Sequence, residues 1–133
     1  MKITRLNAMK QSVEHIECTL AGIVGDKERE PERQLTLLPE GVRQRIDAGE
    51  WAKGFCSVKF YENVTIEDLP EMTPGTVLRM GSLVLEISEA SKHCYDFCDY
   101  VKEGTRCELP ANAYFAKVVE AGKASVGDDA VIL

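Results

Sequence analysis

The chain has 133 residues, 44% hydrophobic and 29% charged, and its 16 Lys+Arg against 22 Asp+Glu leave a formal net charge of −6. That apolar fraction excludes a disordered chain, and the acidic balance argues against a general binder of nucleic acid or anionic membrane. The length fits one domain over 1–133, no apolar run reaches the roughly 20 residues of a spanning helix, and Met1–Gln11 lacks the apolar stretch of a signal peptide, so a soluble cytoplasmic domain is expected.

In chain order, His15-Ile16-Glu17-Cys18-Thr19-Leu20 alternates apolar and polar residues, the period of a half-buried strand. After the Gly25-Asp26 turn, Asp26–Glu32 is a charged loop containing Pro31, and its closeness to Arg33 makes it a candidate lid. Gln34–Leu38 is a second strand. Pro39 then opens a short helix in which Val42 and Ile46 lie four apart, with Gly41 limiting its length. Phe55–Phe60 and Val77–Met80 are further strands, and Gly81 separates the latter from Ser82–Ser88. Cys94–Val101 can form one or two helical turns before Gly104. Tyr114–Glu120 and Ala130–Leu133 complete the strands, and Ala121-Gly122-Lys123-Ala124 predicts a tight hairpin. Many short strands with few helices predict a mainly β fold, a small single-domain β-barrel or sandwich with a few short helices.

Five cysteines are an odd number, and three of them fall between Cys94 and Cys107. Without a secretory signal, reduced thiols used for packing, metal binding or chemistry are expected rather than a disulfide framework. Lys92 and His93 directly flank Cys94. A thiol beside cations has a lowered pKa, and its thiolate is both nucleophile and soft-metal ligand. The structural alternative is a buried, inert cysteine beside a solvated lysine. A zinc alternative uses Cys94, Cys98 and Cys107 with His93 or Cys56 as the fourth ligand, although the spacing departs from paired CxxC knuckles. Arg33, Lys53, Lys59, Lys92 and Arg106 would mark an anionic ligand if they converged, and scattered surface charge if they did not. Asn63 can brace a loop through its own backbone or present its amide to a planar heterocycle. Trp51 reads as a core or lid residue.

The ordered landmarks resemble the MOSC domain, named for the molybdenum-cofactor sulfurase C-terminus. They are Gly25-Asp26, Arg33–Leu38, Gly54-Phe55, Tyr61-Glu62-Asn63-Val64-Thr65, Gly75, Gly81, Cys94 and Gly127-Asp128. Lys92-His93-Cys94-x3-Cys98, Gly104–Pro110 and Tyr114–Val118 look like the small stand-alone bacterial branch. The likeness covers roughly 13–133, with two departures: Lys27-Glu28 follows Asp26 where a histidine is frequent, and Cys56-Ser57 replaces the usual pair after Gly54-Phe55. The resemblance implies a largely β-barrel fold and work with the molybdenum cofactor (molybdopterin) or its sulfur, in maturation, delivery or sulfur transfer. It implies Cys94 as the functional thiol, carrying sulfur as a cysteine persulfide or ligating molybdenum. Arg33, Asn63 and Lys92 would join Cys94 around one cofactor pocket. Expected partners are the cofactor or the sulfur-donor and sulfur-acceptor proteins of its biosynthesis. The competing readings are a small molybdoenzyme reducing N-hydroxylated substrates with a partner electron donor, and a non-catalytic module with a structural Cys/His zinc site.

Overall fold

The computed structural model describes residues 1–51, 60–91 and 109–133. Within them the chain is mainly β. The strands are β1 (Ile3–Ala8), β2 (Gln11–Val13), β3 (His15–Thr19), β4 (Gly22–Ile23), β5 (Leu35–Pro39), β6 (Val64–Ile66), β7 (Val77–Met80), β8 (Leu83–Ala90), β9 (Tyr114–Glu120), β10 (Gly122–Ser125) and β11 (Ala130–Ile132). The described helices are α1 (Glu40–Asp47) and the single turn α2 (Leu109–Asn112). Phe55–Lys59 of one expected strand, and the expected turns over Cys94–Val101, lie outside the described residues; Phe60 is not in a strand.

Eight strands form one strongly curled sheet in the order β11-β7-β8-β9-β5-β6-β1-β2, and β10-β3-β4 form a second. Every pairing in the large sheet is antiparallel except β5 with β6. A parallel pair needs a crossover, and α1 starts that crossover directly after β5. The edges of the curl meet at a seam. Ile3 N donates to Asp128 O, Gly127 N to Ile3 O and Ala130 N to Met1 O, each at 2.8–3.0 Å, and Lys2 bridges Asp129.

The alternation in the sequence is the alternation in the fold. In β3, Ile16 and Cys18 are buried between exposed His15, Glu17 and Thr19. β5 departs from it because both its faces are covered. Leu35 and Leu37 enter the main core with Leu6, Leu78, Leu85 and Ile87, while Leu38 faces a smaller cluster with Val42, Trp51, Leu109 and Ala113. Trp51 is therefore a core residue, with the Arg45 guanidinium 4.6 Å from its ring centroid.

The expected hairpin at Ala121-Gly122-Lys123-Ala124 is corrected. β9 pairs with β8 and β5, whereas β10 leaves it and pairs with β3, matching Gly122 to Cys18 and Lys123 to Glu17. The glycine serves a close approach instead of a turn: a Cβ on Gly122 would overlap the Ser82 backbone. Ser82 N donates to Lys123 O at 3.0 Å, and Lys123 N donates to Ser82 Oγ at 2.9 Å, so this contact fastens the small sheet to the β7–β8 turn.

Candidate functional site

A cavity of about 430 Å³ opens beside the β1–β2 turn, lined by Asn7, Ala8, Met9, Lys10, Asp26, Lys27, Arg29, Tyr61 and Asn63. Its floor is a polar clamp. Asn63 N donates to Thr36 O at 3.0 Å, and Asn7 N donates to Asn63 O at 2.9 Å, so residue 63 bridges β5 and β1 just before β6 begins. The Asn63 side chain repeats the bridge. Its Oδ1 accepts from Thr36 N at 2.9 Å and Thr36 Oγ1 at 3.2 Å, and its Nδ2 donates to Asn7 O at 3.1 Å. Asn7 Nδ2 in turn donates to Glu62 O at 3.0 Å. Both asparagines are buried, and these bonds offset the desolvation of their amides.

Arg29 closes one side. Its Nη1 donates to Asn63 Oδ1 at 3.1 Å, and its Nη2 lies 3.4 Å from Asp26 Oδ2. The charged loop is thus tied to the cavity floor through Arg29. Three donors already use Asn63 Oδ1, so the carboxamide offers a ligand part of its NH₂ group and little acceptor capacity.

Behind Asn63, Glu62 is fully buried and held by Arg43. Arg43 Nε donates to Glu62 Oε2 at 2.9 Å, its Nη2 donates to Oε1 and to Phe60 O, and Thr65 Oγ1 donates to Oε2 at 2.7 Å. Burial works against the Arg43 charge, but hydrogen bonds and attraction from Glu62 and Asp47 outweigh it and raise the guanidinium pKa further. Removing either partner would strand a buried charge, so this pair holds the Tyr61–Asn63 segment in place.

Another part of the wall is the two-residue turn Met9-Lys10, set by the pairing of Ala8 with Gln11. Both residues are left-handed, with φ of 53° and 61°. Such type I′ turns favour Asn-Gly, because a side chain in this region costs about 1–2 kcal/mol per residue. Met9 reaches over Gly25, where a Cβ would stand 3.8 Å from its Sδ and Cε, so the turn also meets the start of the charged loop.

Of the residues expected to form one pocket, Asn63 lines this cavity. Arg33 does not: its Nε donates to Glu89 Oε2 at 2.6 Å, its Nη2 donates to Glu89 Oε1 at 3.3 Å, and its guanidinium lies 4.5 Å from the Phe115 ring centroid. The hydrogen bonds to Glu89 raise the Arg33 pKa. Lys92 and Cys94 lie outside the described residues, as do His93, Cys98, Cys107 and Cys56 of the zinc alternative. Among the described residues no group of three or more His, Cys, Asp and Glu could hold a metal ion. Cys18 is buried in the core, and burial, reinforced by Glu17, pushes its thiol up to about 12, so it is a packing residue. Sequence reasoning missed Lys10 and Arg29, and it named Tyr61 and Lys27 only in the family pattern, not as site residues. The run Asp26–Glu32 carries both signs and reads as a charged loop and candidate lid, and nothing local shows that Arg29 turns inward.

The class defined by this architecture is a small, mainly β domain built on a curled half-barrel sheet. No protein-family model matches the chain, and no curated protein matches it. Solved structures do. The crystal structure of a hypothetical protein aligns with a TM-score of 0.71 and 22% identity over 99% of this chain and 68% of that one. YiiM from Escherichia coli aligns at 0.69 and 22% over 100% and 70%, and the YuaD protein from Bacillus subtilis at 0.66 and 14% over 97% and 92%. The chain shares their fold, which is consistent with the MOSC-like fold implied by the sequence landmarks. Among the described residues no helix is long and apolar enough to cross a membrane.

Proposed function

We propose that the chain is a molybdenum-cofactor-binding or sulfur-handling domain, acting in cofactor maturation, delivery or sulfur transfer, with Cys94 as its functional thiol. The observation that carries this reading is the cavity: an acidic protein gathers Lys10, Lys27 and Arg29 around a braced polar floor, against the single carboxylate of Asp26 among the described lining residues. The shared fold with YiiM and YuaD and the MOSC resemblance support the same assignment.

The described residues fit such a group in two respects. Its phosphate would meet the cationic wall, and the exposed Tyr61 ring offers a face to a planar heterocycle. When bound, the cofactor would supply a molybdenum centre suited to soft sulfur ligands, which is the chemistry of a cysteine thiolate. This chain would bind and orient it, with Arg43–Glu62 and the Asn63 clamp fixing the floor. Arg33 and Lys92 remain proposed contacts of the same ligand, although Arg33 would first have to leave Glu89.

The test is molybdenum and sulfane sulfur per protein after expression in one cofactor-competent host. Cys94→Ser should abolish retention while leaving the fold intact, because Ser preserves size but is a poor soft ligand. Cys98→Ser and Cys107→Ser should have smaller effects. Equal loss in all three, with unfolding and loss of zinc, would overturn the proposal in favour of a structural metal site.

A further inference from the structure

We infer that the Met9-Lys10 turn is a binding element, which holds the Lys10 ammonium at the cavity wall as the principal contact of a tetrahedral oxyanion, with Lys27 and Arg29 completing the site. This rests on the cavity being a ligand site, but not on molybdenum or sulfur chemistry. Three observations converge on it.

The first is the strain. Two bulky residues occupy both left-handed positions of a two-residue hairpin, where Asn-Gly would sit without cost. Backbone strain of this kind persists where surrounding structure over-determines it, and such places cluster at ligand sites. Here both strained residues line the cavity. The second is charge. Arg29 is engaged with Asp26 and Asn63, whereas neither Lys10 nor Lys27 forms an ion pair with a described residue. Lys27 N also donates to Asp26 Oδ1 at 2.8 Å, so the one carboxylate among the described lining residues is already occupied from two sides. Two exposed ammonium groups beside a fixed guanidinium make a receptor for a multiply charged anion. The third is the neighbouring ring. Tyr61 is 59% exposed at the same cavity, a large aromatic surface left to solvent where a ligand's planar portion could stack.

The shared chemistry is a tetrahedral dianion, from either a phosphate monoester on an organic ligand or a free inorganic oxyanion. Calorimetric titration of the full chain with inorganic phosphate and with phenyl phosphate separates the two. Tighter binding of phenyl phosphate assigns the site to a monoester, and tighter binding of inorganic phosphate assigns it to a free oxyanion; either outcome supports the site. Lys10→Gln should weaken whichever probe binds by tenfold or more. Lys2→Gln should leave binding unchanged, because Lys2 pairs with Asp129 at the seam and does not line the cavity. The double variant Met9→Asn/Lys10→Gly should melt roughly 3–8 °C higher, since it relieves two strained residues, and should still lose binding. That pairing of gained stability with lost affinity separates a binding role from misfolding. The inference is overturned if the wild-type chain binds neither probe saturably, if Lys10→Gln binds like wild type, or if Lys2→Gln loses as much. None of these readouts involves Cys94, so they stand or fall independently of molybdenum and sulfur retention.

Discussion

Two hairpins of the large sheet turn in two residues, and they solve that geometry differently. Between β7 and β8 the turn is Gly81-Ser82, with Met80 paired to Leu83 and Gly81 at φ +58°. A Cβ on Gly81 would overlap Lys123 O and stand 2.8 Å from Asp128 Oδ2, so glycine is required both by conformation and by what packs on it. Between β1 and β2 the turn is Met9-Lys10, where no glycine relieves either left-handed residue. The first turn is optimised for assembly of the two sheets. The second gives up local stability and places side chains around a cavity, a trade that recurs at functional sites.

The sharpest way to break this comparison is Gly81→Ala, which adds a clash to a left-handed position and should cost about 3 kcal/mol in denaturant unfolding. Gly75→Ala is its control: φ is +96° but no atom lies within 4 Å of the new Cβ, so its loss should be about 1 kcal/mol. Equal losses would show that packing against Lys123 and Asp128 contributes nothing. Next in size is Asn63→Ala, which removes acceptors from Thr36 and Arg29 and a donor to Asn7; a loss of about 2 kcal/mol is expected from unsatisfied buried groups. A stability equal to wild type would mean that the clamp does not brace the cavity. Lys10→Gly alone should move the other way, gaining about 1 kcal/mol by relieving one strained residue. Loss of stability there would remove the claim that the turn is strained.

A different kind of test concerns pH. The Cys18 thiol rises from its ordinary 9.0 to about 12 in the folded chain. A group whose folded pKa is raised contributes its full stability below 9.0 and loses it as pH rises toward about 12, because the unfolded chain gives up the proton first. Cys18→Ala should lower stability at neutral pH but flatten its decline over that alkaline window, as read from chemical unfolding at stepped pH. An unchanged slope would show that Cys18 ionises in the folded protein as it does in the unfolded one.

Much of the fold was legible because one-sided burial writes a period of two. β3 and β9 carry it plainly and β8 carries it over Leu85–Ser88, and Val42 and Ile46 marked α1. β1 was not legible: Leu6, Asn7 and Ala8 are buried in succession, and a buried asparagine makes sense only once Glu62 and Asn63 lie beside it. β6 is buried on both faces, and β10 is short, so their pairing is dictated by partners distant in sequence, while β2 is too short and polar to show a period although its partner β1 is adjacent. The candidate site divides the same way. Asn63 stood out by its place before Val64–Ile66, whereas the convergence of Lys10, Lys27 and Arg29 is a product of tertiary folding.

The seam between Met1–Ile3 and Gly127–Ala130 has a consequence for how the chain folds. Its hydrogen bonds join residues separated by nearly the full length of the sequence, so closing it has the highest loop-closure entropy of any pairing in the large sheet. Local hairpins such as β7–β8 can form early, but the curl shuts only after β5 and β6 have found their parallel register across the α1 crossover. Folding on a millisecond-to-second timescale follows from such non-local topology, with the seam forming late. Weakening it, as in Lys2→Gln, should therefore accelerate unfolding more than it slows folding.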